Sequence, residues 1–217
     1  MEPSRYKYKP LGPGQIRLLK LAPGDDADSP LRFDLVTDDL DSYPGPSYEA
    51  LSYTWGNTAE PCTAFVGTRT AEYFVNITSN LNAALRSLRN RPQAAFLWID
   101  AVCINQDDLQ EREAQVELMR RIFSSATRTV VWLGEHDPST RDAISCIELV
   151  KGEAQFIPSM LDPAHGCYVK EPLWTAFAKL LARSWFERVW VYQEIAVSAN
   201  VDLRCGPFSI VWDDLCA

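Results

Sequence analysis

The chain is poor in basic charge: 21 Lys and Arg stand against 29 Asp and Glu, a net charge of -8. This argues against a general nucleic-acid binder, which needs a basic field to displace phosphate counterions. An anionic ligand would have to be held by local arginines or backbone N–H groups. Long apolar runs are also missing, and none approaches the length of a membrane span. The first residues, MEPSRYKYKPLGPG, lack the apolar core of a secretory signal. The six cysteines, at 62, 103, 146, 167, 205 and 216, form no CxxC pair. Without an export signal they read as reduced, mostly buried thiols, and the expected location is cytoplasmic.

Two histidines are too few for most metal chemistry. His165-Gly166-Cys167 is too sparse for a zinc site, which wants four ligands at set spacings. No metal site is expected. A thiol triad of Cys103, His136 and Asp100 has no pattern that would bring its members together. Neither common Gly-rich phosphate loop is present, so a dehydrogenase or P-loop NTPase has no support.

What the chain does hold is organised around FLWIDAVCINQ, residues 96–106. Phe96 to Ile99 form a continuous apolar run, the pattern of a strand buried on both faces in a helix-covered parallel sheet. Asp100 ends the run, a polar turn follows, and Asp108 with Glu111 has capping-box spacing for a long helix burying Val116, Met119, Ile122 and Phe123. Upstream, QIRLLKL (15–21) and 31–36 pair as a hairpin over an acidic loop. YEALSYTW (48–55) is a strong strand, and 63–66 with 72–75 form a second hairpin around Gly67. A helix runs from about residue 79 to 89. Downstream, TVVWL (129–133) is another buried strand, followed by helices at 140–151, 173–182 and 185–199 with a break near Ser184. The stretch 154–171 reads as an irregular surface loop or lid. Strand candidates at 201–205 and 208–211 precede Trp212-Asp213-Asp214-Leu215, the first turn of a helix that reads as cut off. Alternating strands and helices predict an α/β fold with a mostly parallel sheet flanked by helices, decorated by N-terminal hairpins. The expected division is an arm and hairpin extension at 1–47, a core domain at 48–200, and the start of a truncated region at 201–217.

Three blocks together resemble the fungal HET (heterokaryon incompatibility) domain: YEALSYTWG, LWIDAVCINQ with its helix and following strand, and RSWFERVWVYQEIAVS. The likeness spans about residues 15–200. It implies a death effector acting when incompatible fungal strains fuse. HET domains are distantly similar to TIR domains, with a flavodoxin-like sheet, and many TIR domains hydrolyse NAD through a glutamate in a Trp-x-x-x-Glu pattern. Trp190-Val191-Tyr192-Gln193-Glu194 matches that pattern, which implies Glu194 as the catalytic carboxylate. It also implies NAD or a related nucleotide as substrate rather than cofactor, homo-oligomers on activation, and a protein partner or regulatory domain.

Breaking the nicotinamide–ribose bond builds oxocarbenium-like charge and expels a neutral leaving group. One carboxylate near the ribose, an aromatic wall and donors for the pyrophosphate suffice. Ligands of open α/β sheets bind beyond the carboxyl ends of the strands. That edge would collect Tyr53, Trp55, Asp100, Cys103, Asn105 and Gln106, with Arg112 or Arg188 for phosphate. On a helix Trp190 and Glu194 share a face, while Trp185, Val189, Tyr192 and Ala196 pack on the sheet. Each residue also has a plainer reading. Glu194 is a solvated glutamate or an arginine's partner, the tryptophans are core, Asp100, Asn105 and Gln106 bond loop backbone, and Arg112 pairs on the surface. The alternative function is a non-catalytic signalling module that self-associates and recruits partners.

Overall fold

A computed structural model describes residues 2–24, 29–67, 73–90, 94–153 and 171–216. Among these residues ten strands form one sheet: β1 (Ser4–Arg5), β2 (Gln15–Leu21), β3 (Arg32–Asp39), β4 (Glu49–Tyr53), β5 (Cys62–Val66), β6 (Tyr73–Ile77), β7 (Ala95–Trp98), β8 (Arg128–Trp132), β9 (Val201–Cys205) and β10 (Phe208–Val211). Their order is β1-β6-β5-β3-β2-β7-β4-β8-β9-β10. The segment β7-β4-β8-β9 is parallel throughout. The hairpins β2-β3, β5-β6 and β9-β10 are antiparallel, and β2 joins the parallel segment by pairing antiparallel with β7. The sheet is therefore α/β and mostly parallel but mixed, as the apolar runs of β4, β7 and β8 predicted for the centre. The strand at 96–99 has one antiparallel neighbour where two parallel ones were expected, because the N-terminal hairpin inserts beside it. The acidic loop expected between β2 and β3, residue 72, and the proposed lid at 154–170 fall wholly or partly outside the described residues.

The helices among the described residues are α1 (Ser79–Arg89), α2 (Asp100–Cys103), α3 (Leu109–Ser125), α4 (Thr140–Glu153), α5 (Glu171–Leu181), α6 (Val191–Ala196) and α7 (Trp212–Cys216), with a 3-10 turn at Ser184–Glu187 before α6. Thr78 caps α1 through Leu81 N–H, and Leu81, Ala84, Leu85 and Leu88 face inward at helical spacing. Asp108 caps α3 by accepting from the N–H groups of Gln110 and Glu111. The capping box is only half made. Glu111 does not reach back to the cap, since its carboxylate is taken by Arg17 and Asn105 N–H. α3 buries Gln115, Ile122 and Phe123. Val116, expected inside, is exposed because the buried stripe is shifted by one position.

Neighbouring β8 residues split the core. Trp132 joins the cluster of β2, β4, β7, α1 and α3, while Val131 packs with Ala143, Ile147, Leu180, Trp185 and Leu203. Trp98 stacks edge-to-face on Phe123 at 5.7 Å between centroids, as the core residue it was expected to be. The expected helix at 185–199 is in fact a 3-10 turn, a break at Arg188–Trp190 and the six-residue α6. That break overturns the packing predicted for this stretch. Trp185 is buried, but Val189, Tyr192 and Ala196 are exposed.

Candidate active site

β4 supplies the centre of the site. Successive residues of a strand point to opposite faces, so Ser52 and Tyr53 at its carboxyl end look opposite ways. Tyr53 sits level with Trp132 of β8, and Gly56, at φ +74°, turns the chain away after Trp55. The 3-10 turn docks on this edge through Ser184 Oγ, 3.3 Å from Thr54 Oγ1. Arg183 fixes the same turn to the exit of β8, donating to the carbonyls of Leu133 at 2.9 Å and Glu135 at 2.8 Å.

On the Ser52 side lies Glu194, 2% exposed. α6 buries Val191 and Glu194, with Ile195 partly buried against the core, and Ser198 Oγ donates to the Glu194 carbonyl at 2.6 Å. The carboxylate is held at both oxygens. Ser52 Oγ donates to Oε2, and Arg188 Nη2 donates to Oε1 at 3.3 Å. Trp185 Nε1 donates to Ser52 Oγ at 2.8 Å, which leaves the serine proton for the carboxylate. Burial pushes the Glu194 pKa up and Asp100 adds to the rise; Arg188 and Ser52 oppose it.

On the Tyr53 side lies Asp100. Its Oδ2 accepts from Trp55 Nε1 at 2.9 Å and its Oδ1 from Ala101 N–H at 2.7 Å. Burial raises its pKa too, against the pull of Trp55, Ala101 N–H, Arg188 and Tyr53. Tyr53 is raised well above its usual value by burial, with Asp100 adding and Arg188 opposing. Arg188 thus bonds one carboxylate, Glu194, and its charge also acts on the other, Asp100, at the carboxyl edge of the parallel strands. Arg188 Nη1 is buried with no hydrogen-bond partner among the described residues, and the buried Tyr53 hydroxyl has Asp100 beside it but no bond of normal geometry. An unsatisfied buried donor such as Arg188 Nη1 is costly.

The predicted residues sort cleanly. Glu194, Tyr53, Asp100 and Trp55 come together. Gln106 supports them by donating to the Asp100 carbonyl at 2.8 Å, and Asn105 lies in the same loop, with its Oδ1 accepting from Asp107 N–H. Cys103 is buried in the core, its sulfur 3.3 Å from Ile99 N and 3.7 Å from the Leu97 carbonyl, and its pKa is pushed up to about 12 by burial. It is a packing thiol, and this also removes the nucleophile from the Cys103–His136–Asp100 arrangement. Arg112 is exposed on α3. Trp190 is the N-cap of α6, its carbonyl accepting from Glu194 N–H at 3.1 Å, but its side chain is half-exposed while that of Glu194 is buried. Trp132 is core, its Nε1 donating to Asn80 at 2.9 Å. Ser52 was not foreseen; its one signal was a lone hydroxyl inside the apolar run ALSY. Among the described residues no group of three or more His, Cys, Asp or Glu is placed to hold a metal.

A family sequence profile described as "Heterokaryon incompatibility protein (HET)" matches residues 48–194, running from the residue before β4 to Glu194. The chain belongs to the HET family. It is similar to Heterokaryon incompatibility protein 6, OR allele, of Neurospora crassa, with 30% identity over 88% of this chain and 33% of that protein. It is also similar to Vegetative incompatibility protein HET-E-1 of Podospora anserina, with 24% identity over 76% of this chain and 10% of that protein. The chain therefore spans a third or less of the length of these relatives. No solved structure matches. Among the described residues of this HET chain no helix is long and apolar enough to cross a membrane.

Proposed function

We propose that this HET chain is a cytoplasmic cell-death effector of fungal incompatibility that hydrolyses NAD at the nicotinamide–ribose bond, TIR-like in mechanism, after assembly into homo-oligomers. The observation that carries the reading is Glu194. It is a buried, pKa-raised carboxylate at the carboxyl edge of the parallel strands, coupled through Arg188 to a second carboxylate, Asp100. Structural glutamates are seldom buried at this depth, and paired carboxylates with shifted pKa values concentrate at sites of chemistry.

In this mechanism the Glu194 negative charge stabilises the oxocarbenium ion as the C–N bond breaks and nicotinamide leaves neutral. Water adds to the ribosyl carbon and its proton is released to a carboxylate, giving ADP-ribose. Ser52 and Arg188 hold the carboxylate in one rotamer. Arg188 Nη1, unpartnered among the described residues, is a donor for substrate oxygens, and the Tyr53 hydroxyl beside Asp100 is a second.

The test is nicotinamide release from NAD by concentrated, self-associated protein. Glu194→Gln is expected to lower the rate by about 100-fold or more, the scale for loss of one preorganised electrostatic contact. Equal rates in the two proteins, or no turnover by assembled wild type, overturns the proposal. A second reading, a partner-recruiting module, is favoured by the exposure of Val189, Trp190 and Tyr192 in one short stretch. It predicts that Glu194→Gln still kills cells while a charge placed at Tyr192 does not.

A further inference from the structure

A cleft of about 340 Å³ opens beyond Trp55, between the N-terminal arm, β6 and the loop after α2. Its lining includes Trp55 and Ala101 but not Glu194. Its size falls in the range of small-molecule pockets. Two features of its chemistry are specific. The first is aromatic: the partly exposed Trp55 ring forms one part of the wall and Tyr6, held edge-on to Tyr8 at 5.1 Å, another. The second is a set of carboxamides, Asn76, Asn105 and Gln106. Asn76 makes no side-chain hydrogen bond among the described residues, and Gln106 uses only its amide nitrogen, leaving its carbonyl oxygen to accept. Carboxamides both donate and accept, so they match the edge of a heteroaromatic base rather than a bare anion. The charges at the mouth cancel, because Arg5 pairs with Asp107 at 3.0 Å.

Trp55 connects this cleft to the acidic cluster, since the same indole that lines the cleft donates to Asp100. We propose that the cleft is a subsite for a neutral planar base, the purine end of a dinucleotide whose other end reaches Asp100 and Glu194. The choice of the purine end rests on the NAD reading, because the base that leaves must lie at the carboxylates. Aromatic stacking on Trp55 supplies the affinity and the carboxamides supply the orientation.

The probe is adenosine, with ribose as control, titrated by ligand-observed NMR against the folded chain. Adenosine is expected to bind wild type and Glu194→Gln alike, and ribose to bind neither. Trp55→Ala is expected to weaken adenosine by about tenfold or more, the worth of one lost stacking platform. Trp55→Phe, which keeps a ring but not the bond to Asp100, retains it. Asn76→Ala and Tyr6→Ala decide the matter if Trp55→Ala unfolds, since both line the cleft away from the carboxylates. No adenosine binding, or binding indifferent to all three alanines, overturns the subsite. Failure is separable from failure of the catalytic reading. NAD turnover with a KM untouched by the cleft variants sinks the subsite alone, while adenosine binding with this pattern and no turnover in any assembled sample upholds the subsite and sinks the chemistry.

Discussion

Ser52 has one proton to give, and Trp185 directs it by occupying an oxygen lone pair. Ser52→Ala therefore strips a donor from Glu194 and leaves a buried indole N–H without its acceptor. The expected cost is about 1–3 kcal/mol by urea denaturation, the penalty for an unsatisfied buried polar group. Ser52→Cys should recover little of it, since sulfur is a weak acceptor. Glu194 itself carries a pH signature. Its folded pKa is raised by burial, so the folded state binds its proton more tightly than the unfolded chain does. That contribution to stability is fully present below the unfolded value of about 4.3 and is lost as pH rises through the folded pKa. Asp100 acts in the same direction. Glu194→Gln should flatten the decline in unfolding free energy as pH rises above about 4.3, the unfolded value. A decline as steep in the variant as in wild type would mean that Glu194 is not perturbed.

At the scale of elements, the turn between β9 and β10 depends on Gly206. Its φ is +53°, and an added Cβ would lie 2.7 Å from His136 Nδ1 and 3.0 Å from the His136 backbone nitrogen. The side chain can move but the backbone cannot, so Gly206→Ala should cost more than the roughly 1 kcal/mol of left-handed strain alone. A thermal melt that matches wild type would refute this. The strands were legible because they are short apolar runs closed by Gly or Asp, and α1 because four apolar residues recur at helical spacing, though which of Asn76, Thr78 and Ser79 caps it took the structure to show. The break before α6 was not legible. Trp185 to Ala199 is free of Gly and Pro, and the helix is interrupted by tertiary demands: Trp185 is buried and Glu194 is turned onto Ser52. Those demands also put Val189 and Tyr192 outside, against their hydrophobicity. Of the candidate site, the placement of Glu194, Asp100 and Tyr53 near one strand edge was legible from the family pattern and strand ends. Ser52 could not, because a serine in a strand carries no periodic signal. Cys103 was misplaced because position after a strand does not reveal which way a thiol points.

The whole molecule is tied by a second charged group, an ion pair distinct from the Glu194–Arg188 pair. Arg17 on β2 and Glu111 on α3 meet through both guanidinium nitrogens, with side chains 2% and 8% exposed. Arg17 also donates to the Cys103 and Lys9 carbonyls and lies 4.9 Å over the Tyr8 ring. Glu111 accepts from Asn105 N–H at 2.6 Å. One pair thus joins the N-terminal arm, the middle of the sheet, α3 and the loop that carries Gln106. Glu111→Ala leaves a buried guanidinium unpaired, and the expected loss is about 3–5 kcal/mol. The double change Arg17→Met with Glu111→Leu removes both charges and should recover most of that loss, since apolar replacement of a whole buried pair is often neutral. Burial alone would raise the Glu111 pKa, but the Arg17 hydrogen bonds and Asn105 N–H outweigh it and the net shift is downward. The pair's contribution is therefore present above about pH 4.3, the unfolded value, and is lost as pH falls through the lower folded pKa. Acid unfolding of wild type should be steeper below pH 4 than that of the double variant. If the single and double variants prove equally unstable, the pair does not organise the fold, and the Asn105–Gln106 wall of the cleft must be held by other contacts.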